Sequence, residues 1–417
     1  MAVIFKNTDV LTYDNYIKGT DVSVENGKIK KTGKAEITSS DEVIDCKGKV
    51  LCPGLINAHT HAAMTLFRSY ADGLTLEDWL FTKIFPAEDR LCGEDVYNGT
   101  MLSMLEMMAG GCTAFHDMYF FTEDIMRAVI DSGMRGKICR GLVNGDTEGF
   151  ENDERINGNI DFYKKYNGFN DGQITVGFGM HSVYTCSPQY LKYCADAVKE
   201  LGASSHIHLS ETETEVKNCV NAYGKTPTVV MCEAGVFETP TVAAHCVHLT
   251  DEDIEILKEY NVSVAFNPSS NLKLKSGIAP IQKLIDRGIN VALGTDGASS
   301  NNNLNMFEEM HIGALLSGVN SKEAFKMATV SGAKALDLPV GEIKEGAAAD
   351  LILIDTDKPH FYPVHDMRAD MVYSAQGSDV YLTMVNGKIL YKDGEYLTAD
   401  FEKIKYEAGK SKERVCI

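Results

Sequence analysis

Between about Val50 and about Gly346 the chain repeats one pattern eight times: a short apolar run of β character, followed in several cases by a stretch of helical periodicity. The runs are KVLCPGLINAHTH, CTAFHDMYF, KICRGLV, ITVGFGMHS, SSHIHLSET, TVAAHCVHL, VSVAFNPSS and NVALGTDGAS. Helical patterns such as YNGTMLSMLEMMAGG, YLKYCADAVKELG, DEDIEILKEY and PIQKLIDRG lie among them, the first and third with apolar residues three and four apart. Gly202 and Gly288 stand where such helices should stop. Eight β-then-α units over roughly 300 residues predict an α/β fold, a TIM-like (β/α)8 barrel over residues 51–346. In that fold reactive groups gather at the C-terminal ends of the strands, which is where the polar residues fall.

The two ends of the chain are different. Short β-rich runs, VIFKNTDVLT, DVSVENGKIKKTG and EVIDCKG at the start and DLILIDTD and VYLTMVNGKILYKDGEY near the end, flank the barrel segment. ENGK and VNGK both read as hairpin turns. Residues 1–50 and 347–417 are therefore expected to pair into one small, discontinuous β-sandwich domain.

Composition narrows the partners. A chain of 417 residues with 44% hydrophobic and 24% charged residues has the make-up of an ordered globular protein. Its formal net charge of −19, without a Lys/Arg block, argues against nucleic acid or an anionic membrane as partner, and favours a small molecule. No run is long enough to span a bilayer, and the first twenty-five residues lack the pattern of a secretion signal. Eleven scattered cysteines without a CxxC pair read as reduced thiols, and the cytoplasm is the expected compartment.

His59 and His61 stand two apart at the end of an apolar strand, so both face one side, here the barrel interior. Alone, a His-x-His pair is more often structural. Later runs, however, end in His206, His208, His245, His248 and Asp296, and a barrel brings all these ends to one mouth. Metals such as zinc take imidazole nitrogen and carboxylate oxygen, and a catalytic site keeps a place for water. His59, His61, His208 and Asp296 supply four ligands, with water as a fifth. His206 shares a face with His208, and spacing alone does not choose between them; Glu211, three residues beyond His208, favours His208. Glu211 reads as the proton shuttle, whereas Glu213 and Glu215 in the same acidic run read as solvated charges. His245 is expected to orient the water and His248 to be structural or supporting. Asp296, between Gly294 and Gly297, reads as both ligand and proton acceptor; an Asp-Gly pair is ordinarily a turn, so this role depends on the barrel.

Taken together, PGLINAHTH, HIHLSET, AAHCVHL, NPSSNLKLKSGIAP and LGTDGASSNN resemble the amidohydrolase superfamily across nearly the whole chain. Their order and spacing are most similar to its 5′-methylthioadenosine/S-adenosylhomocysteine deaminase branch, as are the terminal β segments and GEIKEGAAADLILID. The resemblance implies a hydrolytic deaminase of adenine nucleosides with one divalent metal per subunit, zinc first and iron(II) or manganese(II) as alternatives. It implies substrate contacts from Trp79 in GLTLEDWLFTKIFPAED, Glu88 on the ribose, Arg140 in KICRGLV and His181 in FGMHS, besides Glu211 and Asp296. Arg155 would meet a homocysteine carboxylate, although no motif surrounds it. The structural alternatives are a core Trp79, an ion pair of Glu88 with Arg140, and a satisfied strand-end His181. Binuclear relatives carry a carboxylated lysine at the end of the fourth strand; this chain has His181 there, which implies one metal. The P-C-x-x-C of the other zinc deaminase fold is absent, as is a GxSxG elbow.

Two rival readings stand beside this one. A related amidohydrolase acting on guanine or a triazine shares the metal motifs, and a non-catalytic scaffold would keep the fold without the chemistry; the complete ligand set disfavours the latter. The preferred nucleoside is left open. So is a homo-oligomer, because an apolar face such as MLSMLEMM serves a core as well as an interface.

Overall fold

The computed structural model describes residues 2–416. Eight parallel strands form the central sheet: β1 (Leu55–Thr60), β2 (Cys112–Tyr119), β3 (Arg135–Leu142), β4 (Ile174–Met180), β5 (Ser205–Leu209), β6 (Thr241–His245), β7 (Ser263–Phe266) and β8 (Val291–Leu293). They pair in chain order. Every residue of β1, β2 and β5 to β8 is buried, which is why these runs read as continuously apolar and not alternating. The ends of the series meet: the Asp296 N–H donates to the His59 carbonyl at 3.0 Å, and the Thr295 N–H donates to Asn57 Oδ1 at 3.0 Å. Gly294 permits that approach, since a Cβ there would lie 2.9 Å from both the nitrogen and the oxygen of His59.

The expected helices form as Gly93–Ala109, Pro188–Leu201, Asp251–Glu259 and Ile281–Asp286. Thr250 caps the third, its side chain accepting the Asp253 N–H while the Asp253 carboxylate accepts the Thr250 N–H. Gly202 ends the second in the left-handed region, as the sequence requires.

The run KVLCPGLINAHTH is two strands, not one. Lys49–Pro53 pairs antiparallel with Leu351–Asp355 and parallel with Val3–Leu11, so residues 51–53, expected in the barrel, belong to the small sheet. The chain crosses at Gly54, where a Cβ would overlap the Thr113 side chain. That sheet has nine strands drawn from both ends of the chain, and Phe5, Val10, Val22, Leu51, Leu353 and Leu382 are part of its own core. Both expected hairpins are two-residue Asn-Gly turns, with Asn26, Gly27, Asn386 and Gly387 all at positive φ.

The C-terminal stretch departs from its expected place in a β-domain. Phe401–Val415 is a helix, capped by Asp400, that lies on the barrel helix Gly93–Ala109. Its buried residues Ile404, Ala408, Ser411 and Val415 recur at helical spacing. Asn98 Nδ2 donates to Ser411 Oγ at 3.2 Å, and Arg90 donates to the Val415 carbonyl through Nε and Nη2.

The two sheets are tied by a buried ion pair. Arg135, at the start of β3, meets Asp350 with two parallel bonds, Nε to Oδ2 at 2.9 Å and Nη2 to Oδ1 at 3.0 Å. Removing one partner strands the other charge out of water, so Arg135→Met is expected to cost about 3–5 kcal/mol in urea unfolding. A loss below about 1 kcal/mol would show that this pair does not couple the sheets.

Candidate metal centre

The ends of β1, β5 and β8 bring four side chains together. His61 Nδ1 lies 2.6 Å from the Met118 carbonyl and His208 Nδ1 lies 3.0 Å from the His181 carbonyl. A carbonyl only accepts, so each Nδ1 carries the proton and each Nε2 is bare. Those two Nε2 atoms face each other at 3.2 Å. His59 Nε2 is buried without a hydrogen-bond partner, and Asp296 Oδ1 lies 3.3 Å from the Nε2 atoms of both His59 and His61. Three lone pairs and a carboxylate oxygen converging on one point repel unless a cation lies among them. Burial pushes all three imidazoles toward the neutral form, His59 down to about 4, and Asp296 stays ionised against burial because His59, with His61 and His245, lies beside it. Neutral nitrogen and ionised oxygen are what a divalent metal binds, so the residues fit the group.

Hydrogen bonds behind the cluster hold each atom in place. Ser270 Oγ and Ser300 Oγ both donate to Asp296 Oδ2, at 2.6 and 2.7 Å, which leaves Oδ1 to the imidazoles. His206, the alternative ligand, stands behind the site: its Nε2 lies 2.9 Å from His59 Nδ1. His206 also stacks on His116, ring centroids 3.7 Å apart and planes 17° from parallel, beside Cys139. Asp296 and His245 both have positive φ, as do Ser210 and Cys246 beside the site. Such backbone costs about 1–3 kcal/mol per residue and persists only where the surroundings over-determine it.

Glu211 is buried, and its Oε2 lies 3.7 Å from His245 Nε2. Burial raises its carboxyl above the usual range; His245 opposes the rise and Asp296 adds to it. Glu213 is exposed and paired with Lys217, as expected. Glu215 is not the solvated charge the acidic run suggested. It is buried, and its carboxylate accepts the backbone N–H groups of Ser210 and Glu211 at 3.2 and 2.7 Å. Helix Glu213–Tyr223 turns it back toward the strand end that carries Glu211.

Above these groups a cavity opens, lined by His61, His181, His208, Glu211, His245 and Asp296 on its polar side. Trp79, Leu80, Phe85 and Glu88 close it from a short helical segment with a π-helical turn at Leu80–Ile84. Glu88 is buried and accepts the Tyr119 hydroxyl at 2.6 Å; burial raises its carboxyl to about 8. His181 reaches Ser182 Oγ and Thr185 Oγ1 through Nδ1, and burial lowers it to about 3. Arg140 is not brought to the cavity wall, which Gly141 and Val143 form instead. Its Nη1 lies against Gly158 and its Nε is buried without a partner. Glu88 and Arg140 are thus no ion pair. Arg155 pairs with Asp153 at 3.0 Å and donates to the Val143 carbonyl.

Ser270, Asn271, Ser276, Ser300, Tyr119 and Glu215 went unassigned or were misread in the sequence. The density of polar residues in NPSSNLKLKSG was a signal for three of them.

The model of the amidohydrolase family matches residues 50–390. A 5-methylthioadenosine/S-adenosylhomocysteine deaminase of Caldanaerobacter subterraneus subsp. tengcongensis is 48% identical over 98% of each chain. A 5′-deoxyadenosine deaminase of Methanosarcina mazei is 45% identical over 99% of this chain and 98% of its own. Among solved structures, an adenosine deaminase from Xanthomonas campestris with bound zinc superposes with a TM-score of 0.94 at 28% identity, covering 99% of this chain and 98% of its own.

If the four convergent atoms hold a metal, His208→Ala and Asp296→Asn are each expected to lower the metal content of purified protein well below one per chain, while Glu211→Gln leaves it unchanged. Elemental analysis checks this, and full occupancy in both ligand variants would refute the assignment.

Proposed function

The chain belongs to the amidohydrolase family, and on that premise we propose that it deaminates adenine nucleosides to inosine-type products and ammonia. The substrates proposed are 5′-methylthioadenosine, S-adenosylhomocysteine and adenosine. One observation carries this reading: Glu211, beside His245 and the ligand cluster, shares a cavity with the buried carboxyl of Glu88. The names of the relatives at 45–48% identity support it.

His59, His61, His208 and Asp296 would hold one divalent ion per chain, zinc before iron(II) or manganese(II). When bound, that ion supplies the Lewis acidity that brings a water toward neutral pKa. His245 orients the attacking water toward C6 of the ring. Glu211, whose carboxyl burial raises above the usual range, donates from its acid form to ring N1 as the water oxygen adds, so the electron pair of the C6–N1 bond has somewhere to go. The carbon becomes tetrahedral. Asp296 then takes the remaining hydroxyl proton and passes it to the amino group, and the C6–N bond breaks with release of ammonia; the first proton the water gave up returns to Glu211 and restores its acid form. Glu88 holds the ribose hydroxyls, and Trp79 and His181 line the nucleoside.

Among the described residues no helix is long and apolar enough to cross a membrane. All eleven cysteines are free, which fits a reducing compartment, and we assign the enzyme to the cytoplasm.

Glu211→Gln is expected to lower turnover by about two to four orders of magnitude, read as ammonia release from the three nucleosides. Parental rates would remove Glu211 from the reaction. Glu88→Ala separates this reading from a guanine or triazine hydrolase. It should raise KM for nucleosides by about tenfold, on the order of one lost hydrogen bond, and leave any activity on free bases unaltered. Parental activity on guanine exceeding that on every nucleoside would favour the rival.

A further inference from the structure

The segment from Asn267 to Ser276, which leaves β7 and passes through the helix Pro268–Lys273, reaches three reactive groups by separate side chains. Ser270 donates to Asp296 Oδ2, Asn271 Oδ1 lies 2.8 Å from His245 Nδ1, and Ser276 Oγ donates to Glu211 Oε1 at 3.0 Å. The last of these bears on where a proton sits. A carboxylic acid carries its proton on one oxygen, and an oxygen already accepting a hydrogen bond is the poorer place for it.

Resting on the deaminase reading above, we infer that Ser276 is a positioning residue that assigns the two oxygens of Glu211, keeping Oε1 as acceptor and leaving Oε2 to carry the proton to the substrate. Three observations support it. The Ser276 hydroxyl has no other partner, and both Ser276 and Glu211 are buried, so water does not compete for the bond. Oε2 is the oxygen that faces His245 Nε2, at 3.7 Å. Ser276 is itself anchored: its N–H donates to the Asn271 carbonyl at 2.8 Å, and His248 Nε2 lies 2.7 Å from its carbonyl. His248 thus acts two bonds back from the carboxyl, and Glu215 fixes the Glu211 backbone from the other side. Without the Ser276 hydroxyl the carboxyl is free to turn over, and its proton is equally often on the wrong oxygen or aimed away from the ring.

The test uses the metal-replete enzyme and 5′-methylthioadenosine. Ser276→Ala is expected to lower kcat by about 10- to 100-fold, the scale of one hydrogen bond to an ionisable carboxyl, with KM within about twofold and parental metal content and Tm. Ser276→Thr, which keeps a hydroxyl, restores most of the loss; Ser276→Val, isosteric with it, does not, and this pair serves should the alanine variant fail to accumulate. In a Glu211→Gln background, Ser276→Ala is expected to add less than about threefold, because the group it positions is gone. Parental kcat in Ser276→Ala, loss of metal, or an equal loss in the Glu211→Gln background overturns the inference. A parent enzyme that releases no ammonia from any adenine nucleoside overturns the deaminase reading instead.

Discussion

The architecture depends on the contact between the last barrel strand and the first. β8 is only three residues long, and the chain beyond it is held to β1 by the Asp296 N–H on the His59 carbonyl and by Asn57 on Thr295. That closure does two things at once. It brings the two end strands of the sheet together, and it places the Asp296 carboxylate against His59 and His61, more than two hundred residues earlier. Gly294 has the only side chain that the approach tolerates, a hydrogen, because the His59 backbone occupies the space of any Cβ.

Burial supplies the chemistry of the site. In water the histidines would share protons with solvent and the carboxyls would ionise alike. Out of water, the imidazoles of His59, His61 and His208 are pushed toward the neutral form, and the Nδ1 protons of His61 and His208 are fixed by backbone carbonyls on their far sides. The carboxyls diverge for the same reason. Asp296 is surrounded by imidazoles and receives two serine hydroxyls, so it remains charged; Glu211 has fewer donors and burial raises its carboxyl. Two acids of similar intrinsic strength therefore shift in opposite directions.

The backbone accommodates this arrangement at a local cost. Ser210, His245, Cys246 and Asp296 all lie at positive φ where strands end and loops turn over the site. Extensive hydrogen bonding from Glu215 and from the Asn267–Ser276 segment holds these turns. The cavity wall from Trp79 to Glu88 is built differently, as short helical turns with a π-helical register shift, and it carries Trp79 and Glu88, two of the groups proposed to meet the nucleoside.

The eight runs of the barrel, both Asn-Gly hairpins and the placing of His59, His61, His208, Glu211, His245 and Asp296 at strand ends were determined by the sequence alone. The physical reason is that apolar runs buried on both faces, two-residue turns and polar residues at strand ends are local patterns, visible without knowing what packs against them. Only the tertiary structure decided that Gly54 splits the first run between two sheets, and that residues 401–415 leave the β-domain to cover a barrel helix. It also decided that Glu215 is buried, that Arg140 stands off the cavity wall, and that one polar segment reaches three reactive groups. Each of these depends on which surface a residue meets across the fold, and burial of a charge or direction of a hydroxyl is set by that distant neighbour, not by the residues beside it in the chain.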